Sequence, residues 1–183
     1  MDTIDRYLNQ EAELLTRIPR QPIAEVVNAL QKARHEGKCI FIFGNGGSSA
    51  TASHFVNDVL KSTVQPGRPR FRILCLADNI PTMTAYANDM GYEVIFAEQL
   101  AALAQAGDVA IALSGSGNSP NILRAMEVAR ARGRVTIGLS GASGGRLRSL
   151  VDIAVLVPSA SMQLIEDAHL VILHAVFTEL CAS

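Results

Sequence analysis

The sequence has 183 residues, of which 49% are hydrophobic and 18% are charged, and its formal net charge at pH 7 is −1. This length suits one core, so residues 1–183 are predicted to form a single domain, and the composition excludes intrinsic disorder. The near-neutral charge argues against nucleic acid as a partner, because such binding needs a basic excess or a dense basic patch. Arg68, Arg70 and Arg72 are too few for that, and we interpret them as a solvated loop leading into a strand.

No apolar run approaches the roughly 20 residues that a membrane helix requires, and the first residues are polar and acidic rather than typical of a signal peptide. We therefore expect a cytoplasmic protein with no membrane partner. The cysteines Cys39, Cys75 and Cys181 show no paired spacing. That pattern is typical of reduced thiols with a structural role.

The chain opens with helical periodicity and then changes to short apolar segments. Residues 1–36 are predicted to form two helices, Met1–Ile18 and Pro22–Glu36. Residues 37–160 alternate apolar segments, each typical of a strand buried on both faces, with helical stretches. The predicted strands are Cys39–Phe43, Ile73–Ala77, Val109–Leu113, Val135–Leu139 and Ile153–Val157. The predicted helices between them are Ser49–Lys61, Pro81–Ala106 with a break near Gly91, and Asn121–Arg132.

This alternation predicts an α/β fold with parallel strands joined by right-handed helical crossovers. The expected architecture is a three-layer α/β/α sandwich around a five-stranded parallel sheet, with extra N-terminal helices. Residues 161–183 are predicted to contain one long C-terminal helix, Ser161–Leu180. Apolar residues lie almost all round this helix, which indicates a buried subunit interface and hence a homo-oligomer.

A loop rich in glycine and serine, Gly44–Ser49, follows the first predicted strand and runs directly into a helix. Backbone amides and the positive helix end favour an anion at this point. The spacing matches neither a nucleoside triphosphate loop nor a dinucleotide fingerprint, so a small phosphate ester is the better ligand. A glycine-rich turn with a serine cap has the same appearance, and this loop alone does not decide between the two.

A second loop, Ser114–Ser119, follows the third predicted strand and enters a helix at Pro120. Capping explains Ser119 but not the small polar residues before it. Because ligands of parallel α/β sheets bind at the carboxyl ends of the strands, we predict that this loop binds a phosphate group. A third glycine-rich segment, Ser140–Gly145, has fewer hydroxyl groups and is interpreted as a turn.

Ionisable residues accompany these loops. His54 and Asp58 are four residues apart on one helix face, where they could ligate a metal, act as acid and base, or form a plain surface contact. A second group interrupts the apolar last helix and consists of Glu166, Asp167, His169 and His174. Helical spacing alone favours Glu166 pairing with His169 rather than with His174. Such imidazoles and carboxylates could enclose a zinc ion, although spacing does not show that they converge.

Four blocks carry a family resemblance that covers essentially the whole chain. They are FGNGGSSATASHF (Phe43–Phe55), AND (Ala87–Asp89), LSGSGNS (Leu113–Ser119) and IEDAHLVILH (Ile165–His174). In these blocks the sequence resembles the sugar isomerase (SIS) domains and, within them, the phosphoheptose isomerases. The resemblance implies conversion of sedoheptulose 7-phosphate into D-glycero-D-manno-heptose 7-phosphate. It also implies a homotetramer with active sites shared between subunits, and one zinc ion per subunit.

The resemblance further implies a role for each matching residue. Sugar contacts would come from Asn45, Gly46, Gly47 and Ser48, and contacts to substrate hydroxyls from Asn88 and Asp89. The phosphate cradle would be Ser114, Gly115, Ser116 and Ser119. The zinc ligands would be His54, Asp58, Glu166 and His174, with Asp58 and Glu166 also contacting substrate. Asp58 would remove a proton and His174 would return or relay one. The resemblance thus selects His174 where spacing favours His169.

Two positions depart from the family pattern. Asp58 stands where the family usually has Glu, and its side chain is one methylene shorter. Glu166 stands where the family usually has Gln, which adds a negative charge and makes a bound zinc ion a weaker Lewis acid. The substrate and the identity of the metal therefore stay open. The alternatives are an isomerase of another sugar phosphate and a non-catalytic binding protein similar to the DnaA-initiator-associated relative.

Overall fold

The continuously apolar segments form a central sheet in the computed structural model, which describes residues 2–182. Within these residues the strands are β1 (Cys39–Gly44), β2 (Arg72–Cys75), β3 (Val109–Leu113), β4 (Val135–Ser140) and β5 (Ile153–Leu156). Their order is β2-β1-β3-β4-β5, and every neighbouring pair is parallel. The predicted five-stranded parallel sheet is confirmed.

Helices cover both faces of the sheet. Two helices precede the sheet, α1 (Asp2–Arg17) and α2 (Arg20–His35). The helices between strands are α3 (Gly47–Ser62), α4 (Ile80–Asp89), a 3₁₀ helix (Tyr92–Val94), α5 (Ala97–Leu103), α6 (Pro120–Ala131) and α7 (Leu147–Leu150). The last helix is α8 (Met162–Ala182). This arrangement confirms the predicted three-layer sandwich with N-terminal helices and a long C-terminal helix. Met1, the predicted start of the first helix, and Ser183 lie outside the described residues. Of the helices in residues 2–182, none has the length and apolarity to cross a bilayer.

The sheet separates two hydrophobic cores, because side chains of a strand alternate between its faces. In β1, Ile40 and Ile42 point into a core shared with α1, α2, α3 and α8. Phe41 and Phe43 point into the opposite core with α5, α6 and α7. All four side chains are at most 2% exposed. This burial on both faces explains why the predicted strands are continuously apolar.

The structure differs from the predicted elements at a few element ends and in one short helix. The helical stretch predicted over 81–106 does break at Gly91, as expected, and the φ of 106° there is a conformation that favours glycine. The stretch is divided into α4, the 3₁₀ helix and α5, and α5 ends at Leu103 rather than at 106. The strand β2 ends at Cys75, two residues before its predicted end. The helix α7 has only four residues and was not predicted, since one turn shows no periodicity.

The arginine run and the cysteines agree with the structural roles predicted for them. Arg68, Arg70 and Arg72 are exposed, and β2 begins at Arg72. All three cysteines lie in the described part of the chain and are free thiols. Burial raises the pKa of Cys75 to about 11, which keeps this side chain protonated.

The loops after β1 and β3 emerge side by side. Gly44, the last residue of β1, pairs with Leu113, the last residue of β3. The chain leaves β1 toward β2 on one side of the sheet and continues through β3 to β5 on the other. The order of the strands therefore reverses between β1 and β3, and α/β sheets bind their ligands at the carboxyl edge of such a reversal.

Candidate active site

A cavity of about 140 Å³ lies between these two loops. It is lined by Asn45, Ser48, Leu113, Ser114, Gly115, Ser116, Ser119, Met162 and Glu166. Seven of these residues are predicted substrate contacts. Leu113 and Met162 were not predicted, because an apolar residue in a strand or helix gives no signal that it faces a ligand.

Two of the three serines in the second loop direct their hydroxyl groups toward each other. Ser114 is 5% exposed, and its Oγ lies 3.4 Å from the Oγ of Ser119. Ser119 occupies the N-cap position of α6, with Pro120 following, as predicted. Among the described residues, however, its side chain makes no capping hydrogen bond. The Ser119 hydroxyl is thus available to a ligand at the positive end of α6.

The segment Ser140–Gly145, interpreted from sequence only as a turn, braces the second loop. The Gly141 amide donates to the Gly115 carbonyl at 3.0 Å, and the Leu147 amide donates to the Gly117 carbonyl at 2.9 Å. The Arg146 amide donates to Asn118 Oδ1 at 3.0 Å. These bonds hold the loop in shape before any ligand binds, which lowers the cost of binding.

The first loop brings α3 close to α8. Gly46 precedes α3, and its carbonyl accepts a 2.8 Å hydrogen bond from the Ser49 hydroxyl. A Cβ atom on Gly47 would lie only 2.7 Å from Glu166 Oε2, so a larger residue there would displace the carboxylate. Glu166 therefore places a negative charge at the N-terminus of α3, where it is favourable, and at the rim of the cavity.

A second site lies where α3 packs against α8. His54 Nε2 is 3.2 Å from Asp58 Oδ2, and His174 Nε2 is 3.5 Å from the same oxygen. The two Nε2 atoms are 3.0 Å apart. Side-chain exposures of 49%, 20% and 45% for His54, Asp58 and His174 leave this triad open to a ligand.

The triad has the chemistry and spacing of a metal site. Its ligand atoms all lie within 4.8 Å of one another. Within residues 2–182, this is the group of three His, Cys, Asp or Glu side chains that lie so close together. Around a tetrahedral zinc ion, neighbouring nitrogen and oxygen ligands are about 3.3 Å apart, so the observed distances fit such a cation. Two imidazoles and a carboxylate are ligands that zinc and related divalent metals accept.

The structure brings together three of the four predicted zinc ligands and places Glu166 elsewhere. Glu166 precedes His174 by eight residues, about 12 Å along an ideal helix. Its carboxylate accordingly lies at the 140 Å³ cavity rather than in the triad among the described residues.

His169, which spacing favoured as the partner of Glu166, lies in the core. It is 1% exposed, and neither ring nitrogen has a hydrogen-bond partner in residues 2–182. Burial lowers the pKa of His169 to about 4, and the nearby Ser140 main chain opposes that shift only in part. The neighbouring Asp167 accepts a 2.5 Å hydrogen bond from the Tyr7 hydroxyl, which raises the pKa of Tyr7 to about 12.

Asn88 and Asp89 lie at the end of α4, where both are exposed and Asn88 Nδ2 donates to Asp89 Oδ1 at 2.7 Å. Neither Asn88 nor Asp89 is one of the described residues that line the cavity. Tyr92, three residues later, does reach the site, because its hydroxyl donates to Asn45 Oδ1 at 3.1 Å. Asn121 also bonds to Asn45. Sequence reasoning missed both residues.

Known proteins share this architecture. The sequence signature of the SIS domain family matches residues 6–141. The phosphoheptose isomerase of Trichlorobacter lovleyi is 38% identical over 173 residues, which are 94% of this chain and 85% of that protein. The solved phosphoheptose isomerase from Francisella tularensis has a TM-score of 0.92 at 31% identity and covers 100% of this chain and 98% of its own. The one from Neisseria gonorrhoeae has a TM-score of 0.91 at 26% identity, with coverages of 100% and 98%. The chain therefore belongs to the SIS domain family and, within it, to the phosphoheptose isomerases.

Proposed function

We propose that this isomerase interconverts sedoheptulose 7-phosphate and D-glycero-D-manno-heptose 7-phosphate in the cytoplasm. The observation that carries the proposal is the pairing of a hydroxyl-lined cavity with the His54, Asp58 and His174 triad, both of which take residues from α3 and α8. The relatives are named phosphoheptose isomerases, which supports a phosphorylated heptose as the substrate. With the phosphate held in the cavity, the sugar would extend toward the side chains of the triad.

The phosphate is proposed to bind Ser114, Gly115, Ser116 and Ser119. Support comes from the two facing hydroxyls, 3.4 Å apart, and from the helix N-terminus behind them. Asn45, Gly46, Gly47 and Ser48 are proposed as sugar contacts. Fixing the phosphate holds the reacting carbons in place. When the reacting groups are well aligned, such positioning lowers the activation free energy by roughly 7 kcal/mol or more.

The reaction moves a proton between C1 and C2 through an enediol, which needs a base and an acid. We assign the base to Asp58, which takes the C1 proton of the ketose. The step is completed when C2 of the enediol gains a proton. His174, 3.5 Å from Asp58, returns or relays a proton as the C2 carbonyl becomes a hydroxyl and the C1 hydroxyl becomes the aldehyde. Asp58 Oδ2 faces both histidines, while within residues 2–182 Oδ1 has only a long contact of 3.5 Å with Asn57 Nδ2. Oδ1 is thus the oxygen available for substrate.

One zinc ion per subunit is proposed at His54, Asp58 and His174, with Glu166 as a fourth ligand after rearrangement. The spacing of the three ligand atoms supports this assignment. When bound, zinc supplies Lewis-acid polarisation of the substrate carbonyl. The extra charge of Glu166, compared with an amide, would hold the cation more tightly and weaken that polarisation.

A homotetramer with shared sites is proposed for two reasons. Asn88 and Asp89 are exposed and outside the cavity of their own chain, so a neighbouring subunit's site is where they could contact substrate. An apolar groove of about 350 Å³ between α2 and α8 includes Ile23 and Val27, and the nearby Val171 is 43% exposed. Subunit association would bury this apolar surface.

The test is to incubate the protein with sedoheptulose 7-phosphate and a panel of other aldose and ketose phosphates in deuterated water, with and without chelator. We expect product and deuterium incorporation with sedoheptulose 7-phosphate, loss on chelation and recovery with zinc. Turnover of a different sugar phosphate would replace the substrate assignment. Binding without proton exchange for every sugar would establish the non-catalytic alternative.

A further inference from the structure

Two residues outside the cavity hold the side-chain amide of Asn45. Asn45 Oδ1 accepts hydrogen bonds from Asn121 Nδ2 at 2.8 Å and from the Tyr92 hydroxyl at 3.1 Å. In return, Asn45 Nδ2 donates to Asn121 Oδ1 at 3.0 Å. Asn121 is 2% exposed. Neither Asn121 nor Tyr92 is one of the described residues that line the cavity.

The backbone of α6 fixes the direction of these bonds. The Ile122 amide, which can only donate, bonds to Asn121 Oδ1 at 3.0 Å. The Asn121 oxygen must therefore face Ile122, and its amino group must face Asn45. Turning the Asn45 amide over would set oxygen against oxygen and nitrogen against nitrogen, so only one orientation satisfies the buried groups.

This orientation decides what Asn45 offers to a ligand. Its oxygen already accepts two hydrogen bonds, which is its full capacity. Its nitrogen has two hydrogens, and one is used by Asn121. Within residues 2–182 the second has no protein acceptor, and Asn45 lines the cavity. The group left for a ligand is a hydrogen-bond donor.

We propose that Asn121 and Tyr92 are positioning residues that hold Asn45 as a donor to an acceptor oxygen of the bound sugar phosphate. The inference rests on the proposed function and adds to it the chemistry of one subsite. Asn121 also follows Ser119 and Pro120 at the start of α6, so the same amide pair ties the phosphate loop to the sugar loop. A ligand group that can only donate would be rejected at this subsite.

A double-mutant cycle on kcat/KM tests the proposal. The variants are Asn121→Ala, Asn45→Ala and the two combined. Because Asn121 acts through Asn45, Asn121→Ala should lower kcat/KM about tenfold in the wild-type background and less than about twofold beside Asn45→Ala. Tyr92→Phe should lower kcat/KM about threefold, again only when Asn45 is present. Tyr92 is 55% exposed, so this variant folds even where Asn121→Ala does not.

Matched controls separate positioning from stability. Gln99 is a buried amide, 4% exposed, that donates to the Leu76 and Ile95 carbonyls, so Gln99→Ala should lose stability without coupling to Asn45. Tyr86→Phe removes a phenol oxygen from α4 and should leave kcat/KM unchanged. Equal losses for Asn121→Ala in both backgrounds, or no loss in either, would overturn the inference.

Wild-type turnover of sedoheptulose 7-phosphate is measured first and tests the proposed function separately. If turnover is absent, the same cycle is run on the Kd of sedoheptulose 7-phosphate by calorimetry. Coupling in Kd then supports the positioning role although the isomerase assignment fails. Additive effects on Kd, or no binding by the wild-type protein, overturn the positioning role as well.

Discussion

His54 Nε2 and His174 Nε2 lie 3.0 Å apart although 120 residues separate them in sequence. One imidazole comes from α3 and the other from α8, and Asp58 Oδ2 is within 3.5 Å of both. Two exposed imidazoles at this distance need a shared proton or a shared cation between them. The packing of α8 against α3 therefore creates a site that neither helix has alone.

Loss of His174 should remove the metal. Changing an outer partner of a ligand already costs about 10–100-fold in metal affinity, so His174→Ala, which deletes a ligand, should cost at least that much. Elemental analysis after dialysis against zinc should give one ion per wild-type subunit and almost none for the variant. His35→Ala removes an exposed histidine outside the site and should retain the ion. Full zinc content in His174→Ala would show that the triad is not the metal site.

Asp58→Asn should abolish turnover and spare phosphate binding. The amide cannot take a proton from carbon, and loss of a general base typically costs about 10²–10⁴-fold in rate. Inorganic phosphate should still bind, since Asp58 is absent from the described residues that line the cavity. Steady-state kinetics measure the loss of turnover, and calorimetric titration with inorganic phosphate measures the retained binding. Asp58→Glu restores the longer side chain of the family and should keep at least part of the activity; retained activity in Asp58→Asn would disprove the role as base.

The fold could be predicted because its signals are local. A strand buried on both faces is continuously apolar, as Ile40–Phe43 shows with exposures of at most 2%. The two anion loops also have local signals, since glycine and serine follow β1 and β3 directly. Less could be predicted where elements are short, and α7 and the end of β2 show the limit.

The assembly of the site could be predicted only in part, because it depends on how helices rotate against one another. Spacing within α8 ranks His169 above His174 as a neighbour of Glu166, yet His169 points into the core and His174 toward α3. Asn121 and Tyr92 resemble ordinary helix and loop residues in sequence. Their bonds to Asn45 arise only when α6 and the 3₁₀ helix meet the first loop.

Glu166→Gln should strengthen phosphate binding. The Glu166 carboxylate lines the cavity proposed for the phosphate, and two negative charges there repel each other. Removing a partly exposed charge should lower the Ki of inorganic phosphate about fivefold, corresponding to about 1 kcal/mol. Inhibition assays at low ionic strength measure this effect, and added salt should reduce it. Glu25→Gln, on α2, is the matched control and should leave Ki unchanged; a higher Ki in Glu166→Gln would contradict the assignment of the phosphate to this cavity.

His169 should make the fold sensitive to mild acid. Burial lowers the pKa of His169 to about 4, below the ordinary value of about 6.5. Between these values the unfolded chain binds a proton that the folded chain does not, so stability is full above pH 6.5 and falls as the pH drops toward 4. The loss should be about 2 kcal/mol at pH 5 and about 3 kcal/mol at pH 4.

His169→Leu should remove this part of the pH dependence, because leucine has a similar volume and does not titrate. Urea unfolding at pH 7 and pH 5, at one protein concentration and with chelator throughout, should give the variant a loss about 2 kcal/mol smaller than that of the wild-type protein. His35→Gln, at an exposed histidine of α2, should keep the wild-type dependence. Equal losses in the wild-type and His169→Leu proteins would mean that His169 is protonated in the folded state at pH 5, with a hydrogen-bond acceptor that compensates its burial.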